Sequence, residues 1–249
     1  MRERVRVGVV LGVGAVVALL AARGFADEAT KEHSAIKPAM KDKARHEKFV
    51  EIAKRGGVDV LFLGDSITDA WGGEGRRGGA GAKIFEEEFV PLKAANFGIG
   101  GDRTQHVLWR LQNGELEGIQ PKVVMLMIGT NNSNRSDNTA EEIADGIKAI
   151  VKEIHKRSPK TKVLLLGIFP RGAKPNPQRE KLKQVNEIIA KLDDNGKTVK
   201  YLDLAEKFLE KDGTLPKDIM PDYLHLSPKG YRIWADAVKG PIKELLGNK

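Results

Sequence analysis

The chain contains no cysteine among its 249 residues. This absence excludes disulfide bonds, thiolate metal sites, cysteine nucleophiles and lipid attachment through an N-terminal cysteine. It does not exclude an oxidising compartment, because a domain of this length buries enough apolar surface to fold without disulfides. One large domain is the organisation that we expect from this length.

The sequence also lacks the phosphate-loop pattern G-x-x-x-x-G-K-[ST] and the zinc-protease pattern H-E-x-x-H. The segment GIGGDR at 98–103 fails the dinucleotide pattern G-x-G-x-x-G, because Arg103 stands at the last glycine position. G-x-S-x-G, the nucleophile turn of the common α/β-hydrolases, is missing as well. Nucleotide-binding and zinc-protease functions therefore lose support.

The formal charge of +8 suggests a polyanion partner, but the positive charge is dispersed. Residues 1–26 carry +3, and the remaining +5 is spread over mixed segments such as KEIHKRSPK at 152–160. Mixed charges of this kind are typical of solvated helix faces. We predict no nucleic-acid partner, and a non-catalytic module that binds glycans or polyanions is kept as an alternative.

The N-terminus has the pattern of a secretory signal. MRERVR at 1–6 is basic, residues 7–22 are apolar throughout, and small residues stand at Gly24 and Ala26. We predict a signal peptide at 1–26, a secreted or periplasmic protein, and no stable membrane insertion once the signal is cleaved. The alternative is a membrane anchor facing outside the cytoplasm, although the apolar stretch is shorter than the roughly 20 residues of a spanning helix.

Residues 27–44 are polar and lysine-rich, which predicts a loosely held leader before a folded domain at 45–249. Within that domain, short apolar runs alternate with longer amphipathic segments. This alternation predicts an α/β protein, a three-layer α/β/α sandwich with a central, mainly parallel, five-stranded sheet. The strand candidates are 58–64, 93–98, 122–129, 162–169 and 198–204, and the helix candidates are 101–113, 139–157, 178–194 and 227–247.

Polar or glycine-rich blocks follow four of the predicted strands. In a parallel sheet the carboxyl ends of the strands meet at one edge, where ligands bind. We therefore expect these blocks to come together in space. They are GDS (64–66), GIGGD (98–102), GTNN (129–132) and PRG (170–172).

Ser66 follows the first strand directly, where a sharp turn can expose its hydroxyl, and a serine needs a base to become nucleophilic. His225 lies three residues after Asp222 in PDYLHLSPKGY at 221–231, close enough for the carboxylate to orient the imidazole. Together these residues predict a catalytic triad in the order Ser, Asp, His. We interpret the remaining histidines as solvated groups (His33 and His155) or as packing or surface residues (His46 and His106).

Acyl transfer also needs hydrogen-bond donors aimed at the developing oxyanion. We predict that the backbone N–H groups of Ser66 and Gly101 and the side-chain amide of Asn131 supply them. For the glycines the alternative is a simple turn, and for Asn131 it is a hydrogen bond within its own loop.

The four blocks together resemble those of the SGNH, or GDSL-like, hydrolase superfamily, named for a serine, glycine, asparagine and histidine in separate blocks. The stretch NFGIGGDRTQHVLWRLQNGELEGIQPK at 96–122 is most similar to the catalytic subunits of intracellular platelet-activating factor acetylhydrolases and their bacterial relatives. The resemblance implies a flavodoxin-like catalytic domain at 45–249, hydrolysis of a short-acyl ester, and no metal or cofactor. The motif is met at Ser66, Gly101, Asn131, Asp222 and His225.

The substrate does not carry over from the resemblance, because the export signal and the glycine-rich segment WGGEGRRGGAGAK at 71–83 depart from the intracellular enzymes. We expect a secreted serine esterase for short, acetyl-type esters, with carbohydrate as the hypothesised carrier. A lipid esterase of the lysophospholipase or platelet-activating factor acetylhydrolase type is the alternative. The resemblance also allows a homodimer.

Three further residues are candidate substrate contacts: Asp65, Trp71 and Asn132. Trp71 could stack on a sugar, or it could be a packing residue beside the turn. Asp65 has a second interpretation, in which its carboxylate braces the active-site loop by accepting backbone N–H bonds.

Overall fold

The computed structural model describes Met1, residues 32–74 and residues 79–247. Apart from Met1, the predicted signal peptide at 1–26 lies outside the described residues, as do residues 75–78 of the glycine-rich segment. Within the described part, no helix has the length and apolar character needed to span a membrane.

Five strands form the central sheet: β1 (Val60–Gly64), β2 (Ala94–Gly98), β3 (Val123–Met127), β4 (Lys162–Leu166) and β5 (Val199–Leu202). Their order is β2-β1-β3-β4-β5, and every neighbouring pair is parallel. β1 and β3 are buried at every position, which explains their uninterrupted apolar sequences. This is the strand order of flavodoxin-like folds, as predicted.

Helices cover both faces of the sheet, which confirms the predicted three-layer sandwich. The side chains of β1 alternate: Leu61 and Leu63 join one apolar cluster, and Val60 and Phe62 join the other. The helices of the described residues are α1 (Lys43–Arg55), α2 (Ser66–Asp69), α3 (Ala82–Glu88), α4 (Thr104–Gln112), α5 (Ala140–Arg157), α6 (Pro177–Ile189), α7 (Ala205–Phe208) and α8 (Pro228–Leu246). The first cluster contains residues of α1, α4, α5 and α6, and the second contains residues of α3 and α8.

The start of α8 fixes the end of the segment that carries His225. Ser227 is the N-cap, with its hydroxyl oxygen accepting from the Gly230 N–H at 3.2 Å, and Pro228 occupies the first helical position. A proline there costs nothing, because the first N–H groups of a helix have no partner within it. The helix start predicted from the sequence is confirmed.

The leader is packed against the domain, so the expectation of a loosely held segment is wrong for residues 32–42. Ala35 is fully buried, and its carbonyl accepts a hydrogen bond from Thr104 Oγ1 at 2.8 Å. Further along, the Ala39 N–H donates to the Gln105 carbonyl at 3.1 Å. His33 is also mostly buried rather than solvated, with 9% of its side chain exposed. The polar composition of the leader did not indicate this packing, because the contacts are made by backbone groups and small side chains.

Candidate active site

The turn after β1 presents Ser66 at the carboxyl edge of the sheet. A Cβ atom added to Gly64 would lie 2.2 Å from Thr68 Oγ1 and 2.4 Å from the Met127 carbonyl oxygen, so the turn requires glycine. Ser66 is the first residue of the short helix α2. The change from apolar to polar residues in LFLGDSIT therefore marks the exit from a buried strand.

The three predicted triad residues lie in one hydrogen-bonded line. Ser66 Oγ is 2.9 Å from His225 Nε2, and His225 Nδ1 is 2.7 Å from Asp222 Oδ2. The other carboxylate oxygen of Asp222 accepts the backbone N–H groups of Leu224 at 3.0 Å and His225 at 2.7 Å. The local segment thus holds the imidazole, and the fold brings it to a serine 159 residues away.

The electrostatics of this line favour an ionised Asp222. Partial burial raises the pKa of Asp222, but the hydrogen bonds from His225 and Leu224 outweigh it and bring the pKa below its ordinary value. A carboxylate that stays ionised can hold the imidazole with its Nδ1 proton toward Asp222 and Nε2 toward Ser66. His225 and Asp222 have 42% and 55% of their side chains exposed, so the site opens to solvent.

Two of the three predicted oxyanion-hole residues, Gly101 and Asn131, lie on loops that are joined to each other. A Cβ atom added to Gly100 would be 3.9 Å from the Ser66 Cβ, so the GIGGD loop passes close to the serine. Gly101 has φ of +76°, in the region that favours glycine. Asn131 Nδ2 donates to the Asp102 carbonyl at 2.8 Å and so links the GTNN loop to this turn.

Two predicted substrate contacts, Trp71 and Asn132, are wrong because both side chains are fully buried. Trp71 packs edge-on against the Phe89 and Tyr231 rings, with centroids 5.5 and 4.6 Å away, so its packing alternative holds. The Asn132 side chain accepts from the Thr104 N–H and donates to Gln105, Thr104 and Asn138, which ties α4 to the GTNN loop.

Asp65 is 1% exposed, and its Oδ1 accepts the Ile67 N–H at 3.0 Å. The bracing interpretation of Asp65 therefore agrees with the structure, and the substrate-contact interpretation is wrong. Burial, together with the charge of Asp102, raises the pKa of the Asp65 carboxyl to about 7, although the Ile67 N–H and Arg171 oppose the change. A carboxyl beside the nucleophile thus titrates near neutral pH.

We expect the substitution Asp65→Asn to flatten the pH dependence of stability. The Asp65 pKa is about 7 in the folded protein against 3.8 ordinarily, so between these values the folded state keeps a proton that the unfolded chain has lost. The free energy of unfolding then falls as the pH rises through this window and levels off above it. Asparagine is neutral throughout this window. On going from pH 4 to pH 8, the free energy of unfolding of the variant should therefore rise by about 2–4 kcal/mol relative to that of the parent.

Urea unfolding of parent and variant at pH 4, 6 and 8 measures this difference directly. Parallel stability curves across the window would show that Asp65 does not titrate there.

Sequence reasoning missed a buried ionic network behind the GIGGD turn. Arg110 on α4 is 2% exposed, and its two carboxylate partners, Asp102 and Glu115, are both fully buried. Its Nε donates to Asp102 Oδ2 at 3.0 Å, one Nη donates to Glu115, and the other donates to the Phe97 carbonyl at 3.1 Å. His46 is buried with its ring edge-on to Trp109 at 4.9 Å, so its packing interpretation holds, and its Nδ1 also lies 3.2 Å from Glu115 Oε1. The sequence signal for this network was Arg110 itself, a charged residue among the apolar residues of α4.

The PRG block reaches the same edge through Arg171. The guanidinium donates to the Thr130 carbonyl at 3.3 Å and to Asn134 Oδ1 at 3.1 Å. Burial lowers the pKa of Arg171, while the charges of Asp65 and Asp222 oppose that change. The blocks that follow β1, β2, β3 and β4 therefore meet where the sequence predicted.

Comparison with known proteins places this geometry in a family. Residues 62–233 match the GDSL-like lipase/acylhydrolase family. Human platelet-activating factor acetylhydrolase IB subunit alpha1 is 46% identical over 201 residues, which cover 81% of this chain and 82% of that subunit. The human alpha2 subunit is 43% identical over 203 residues, covering 82% of each chain.

Solved structures share the fold. A GDSL-like lipase from Bacteroides thetaiotaomicron has a TM-score of 0.59 at 18% identity and covers 81% of this chain and 98% of its own. A variant of an acetyl-xylooligosaccharide esterase from Geobacillus has a TM-score of 0.57 at 21% identity, with 78% and 96% covered. At these identities the structures support the fold alone, whereas the family match and the two human relatives carry the assignment. The chain therefore belongs to the GDSL-like lipase/acylhydrolase family, and it is an ester hydrolase.

Proposed function

We propose that the protein is a serine esterase with Ser66 as nucleophile, His225 as general base and Asp222 as the carboxylate that orients the His225 imidazole. The observation that supports this most is the unbroken line of hydrogen bonds from Ser66 Oγ to Asp222, with lengths of 2.9 and 2.7 Å. His225 Nε2 accepts the Ser66 proton as Oγ attacks the ester carbonyl, and the imidazolium then gives that proton to the leaving alcohol. Water, deprotonated by the same imidazole, releases the acid from the acyl-enzyme.

The negative oxygen of each tetrahedral intermediate would bind the N–H groups of Ser66 and Gly101 and the amide of Asn131. Asn131 already uses one N–H to bond the Asp102 carbonyl at 2.8 Å, which leaves the other to face the reacting oxygen. Donors held in advance by neighbouring groups need no reorganisation as charge develops, which is the physical basis of their effect on rate.

The adjacent residues Asn131 and Asn132 provide a matched pair of variants. We expect Asn131→Ala to lower kcat about a hundredfold, with KM and the melting temperature little changed, because a transition-state donor is lost. Asn132→Ala should instead lower the melting temperature, because it leaves buried partners on Thr104, Gln105 and Asn138 unsatisfied. Steady-state kinetics and thermal unfolding of both variants separate the two effects, and the reverse pattern would contradict the assignment.

For the substrate, we propose acetyl or similarly short acyl esters. The names of the two human acetylhydrolase subunits specify acetyl groups, which supports this acyl part. We propose a carbohydrate as the alcohol part of the ester, and this choice depends on the expected export of the protein. The second candidate is an acetylated phospholipid, and the identity of 46% to a platelet-activating factor acetylhydrolase subunit favours it.

Export is part of the same proposal and rests on the residue pattern of 1–26. The secreted or periplasmic form would begin at Asp27 and retain the whole compact unit that starts at Glu32. N-terminal sequencing of the protein recovered from the producing cells tests this point, and an intact Met1 at a membrane would favour the anchor alternative.

The test of function uses the chain from Asp27 onward with p-nitrophenyl acetate, butyrate and octanoate. We expect acetate to have the highest kcat/KM. Acetylated oligosaccharides are then compared with an acetylated ether phospholipid, and turnover of the lipid alone would exclude the carbohydrate proposal. A preference for octanoate would overturn the short-acyl proposal, and a folded but inactive protein would favour the binding-module alternative.

A further inference from the structure

Lys41 of the leader lies along the glycine turn that carries a proposed oxyanion donor. Its Nζ donates to the Gly100 carbonyl at 2.7 Å. A Cβ atom added to Gly101 would be 3.4 Å from Lys41 Cε, so the lysine stem passes directly over that residue. Nζ is also 3.8 Å from Asp102 Oδ1. One side chain therefore contacts three consecutive residues of the turn.

The turn needs support from outside itself. Its glycines restrict the backbone little, and Gly101 is solvent-exposed. Asp102 Oδ1 is buried and has no hydrogen-bond partner among the described residues, while Oδ2 is bound by Arg110. Burial raises the pKa of Asp102 to about 6, and the charges of Arg110 and Lys41 both counteract this. Lys41 thus provides the second cation beside this carboxylate, on the side that Arg110 leaves open.

The backbone on both sides of Lys41 is fixed. Two residues earlier, the Ala39 N–H donates to the Gln105 carbonyl on α4 at 3.1 Å. One residue later, Asp42 caps α1 by accepting the Arg45 N–H at 3.0 Å. These anchors hold the lysine stem in place, so less conformational freedom is lost when its ammonium group binds the turn.

We propose that Lys41 is a positioning residue of the active site, which fixes the turn from Gly100 to Asp102 so that the Gly101 N–H points toward the oxyanion. This inference rests on the proposed serine-esterase function and deepens it. Lys41 touches no reacting atom in this scheme; it acts through the turn. The leader is then a part of the catalytic unit, although its composition suggested a loose tail.

The experiment compares three variants of the chain from Asp27 onward: Lys41→Met, Lys41→Arg and Lys37→Met. Lys37 lies in the same segment with 73% of its side chain exposed, so it controls for charge removal in the leader. Misplacing a catalytic group by about 1 Å can cost about a hundredfold in rate, and a loosened turn should cost less. We expect Lys41→Met to lower kcat for p-nitrophenyl acetate about tenfold with KM within about twofold of the parent.

Lys41→Arg keeps a donor within reach of the Gly100 carbonyl and should retain kcat within about threefold, and Lys37→Met should match the parent. If Lys41→Met keeps the parental kcat while Ser66→Ala abolishes hydrolysis, the positioning role is wrong and the esterase stands. If Lys41→Arg lowers kcat as much as Lys41→Met does, the claim that Lys41 acts through its hydrogen bond to the turn is also refuted. If Ser66→Ala is as active as the parent, the proposed function itself fails.

Discussion

Replacing Ser66 by alanine is expected to lower kcat for acetyl-ester hydrolysis by at least about 10⁴-fold, and His225→Ala should cost about as much. The reason is the single contact of 2.9 Å between Oγ and Nε2, which makes nucleophile and base one functional unit. Without either partner, neither alkoxide formation nor proton delivery to the leaving group can occur. For the same reason the double variant should be little slower than each single variant.

Asp222→Ala should have a smaller effect, about 10²- to 10³-fold, because the start of α8 two residues after His225 stays anchored by the Ser227 cap and by the bond from the Ser227 N–H to the Ile219 carbonyl. Thermal unfolding establishes that each variant is folded. Ser136→Ala, at an exposed position, and His155→Gln, at a half-buried position on α5, provide matched controls that should keep parental kinetics. A loss in Asp222→Ala exceeding that in His225→Ala would contradict the assigned order of roles.

The parts of the fold and site that could be predicted from sequence are those in which one local signal determines the structure. Strands covered on both faces are apolar throughout, so β1 and β3 stood out, and polar residues after them had to lie at the sheet edge. Asp222 and His225 are three residues apart, so their contact at 2.7 Å needs little of the fold.

The errors concern which side of a turn a side chain faces. Trp71 lies shortly after the GDS block and Asn132 is the last residue of GTNN. Both point into the interior, where Trp71 contacts rings of α8 and Asn132 contacts polar groups of α4. Their partners come from distant parts of the chain, and one sequence does not reveal them. The packed leader was missed for the same reason, because its partners, Thr104 and Gln105, lie more than sixty residues away.

The buried network has the largest expected effect on stability. We expect Arg110→Met to lower the free energy of unfolding by about 3–5 kcal/mol, because Asp102 and Glu115 would remain buried without their cation. The loss should be greatest at neutral and alkaline pH. Without Arg110, the folded-state pKa of Asp102 would rise further above its ordinary value, so protonation on acidification removes part of the penalty. Urea unfolding at pH 5 and pH 8 measures both the size and the direction of this effect.

Two comparisons test whether uncompensated charge is the cause. Arg55→Met removes an arginine from an ion pair with Glu74 whose side chains are 54% and 64% exposed, and it should cost no more than about 0.5 kcal/mol. Adding Asp102→Asn and Glu115→Gln to Arg110→Met removes the stranded charges and should recover at least half of the lost stability. If the triple variant is less stable than Arg110→Met at pH 8, lost packing of the arginine stem would explain the destabilisation instead. Arg110 also binds the Phe97 carbonyl and Asp102, which lie at opposite ends of the segment that holds the proposed oxyanion donor Gly101. The triple variant loses both contacts. Its kcat should therefore stay below that of the parent even where its stability is restored.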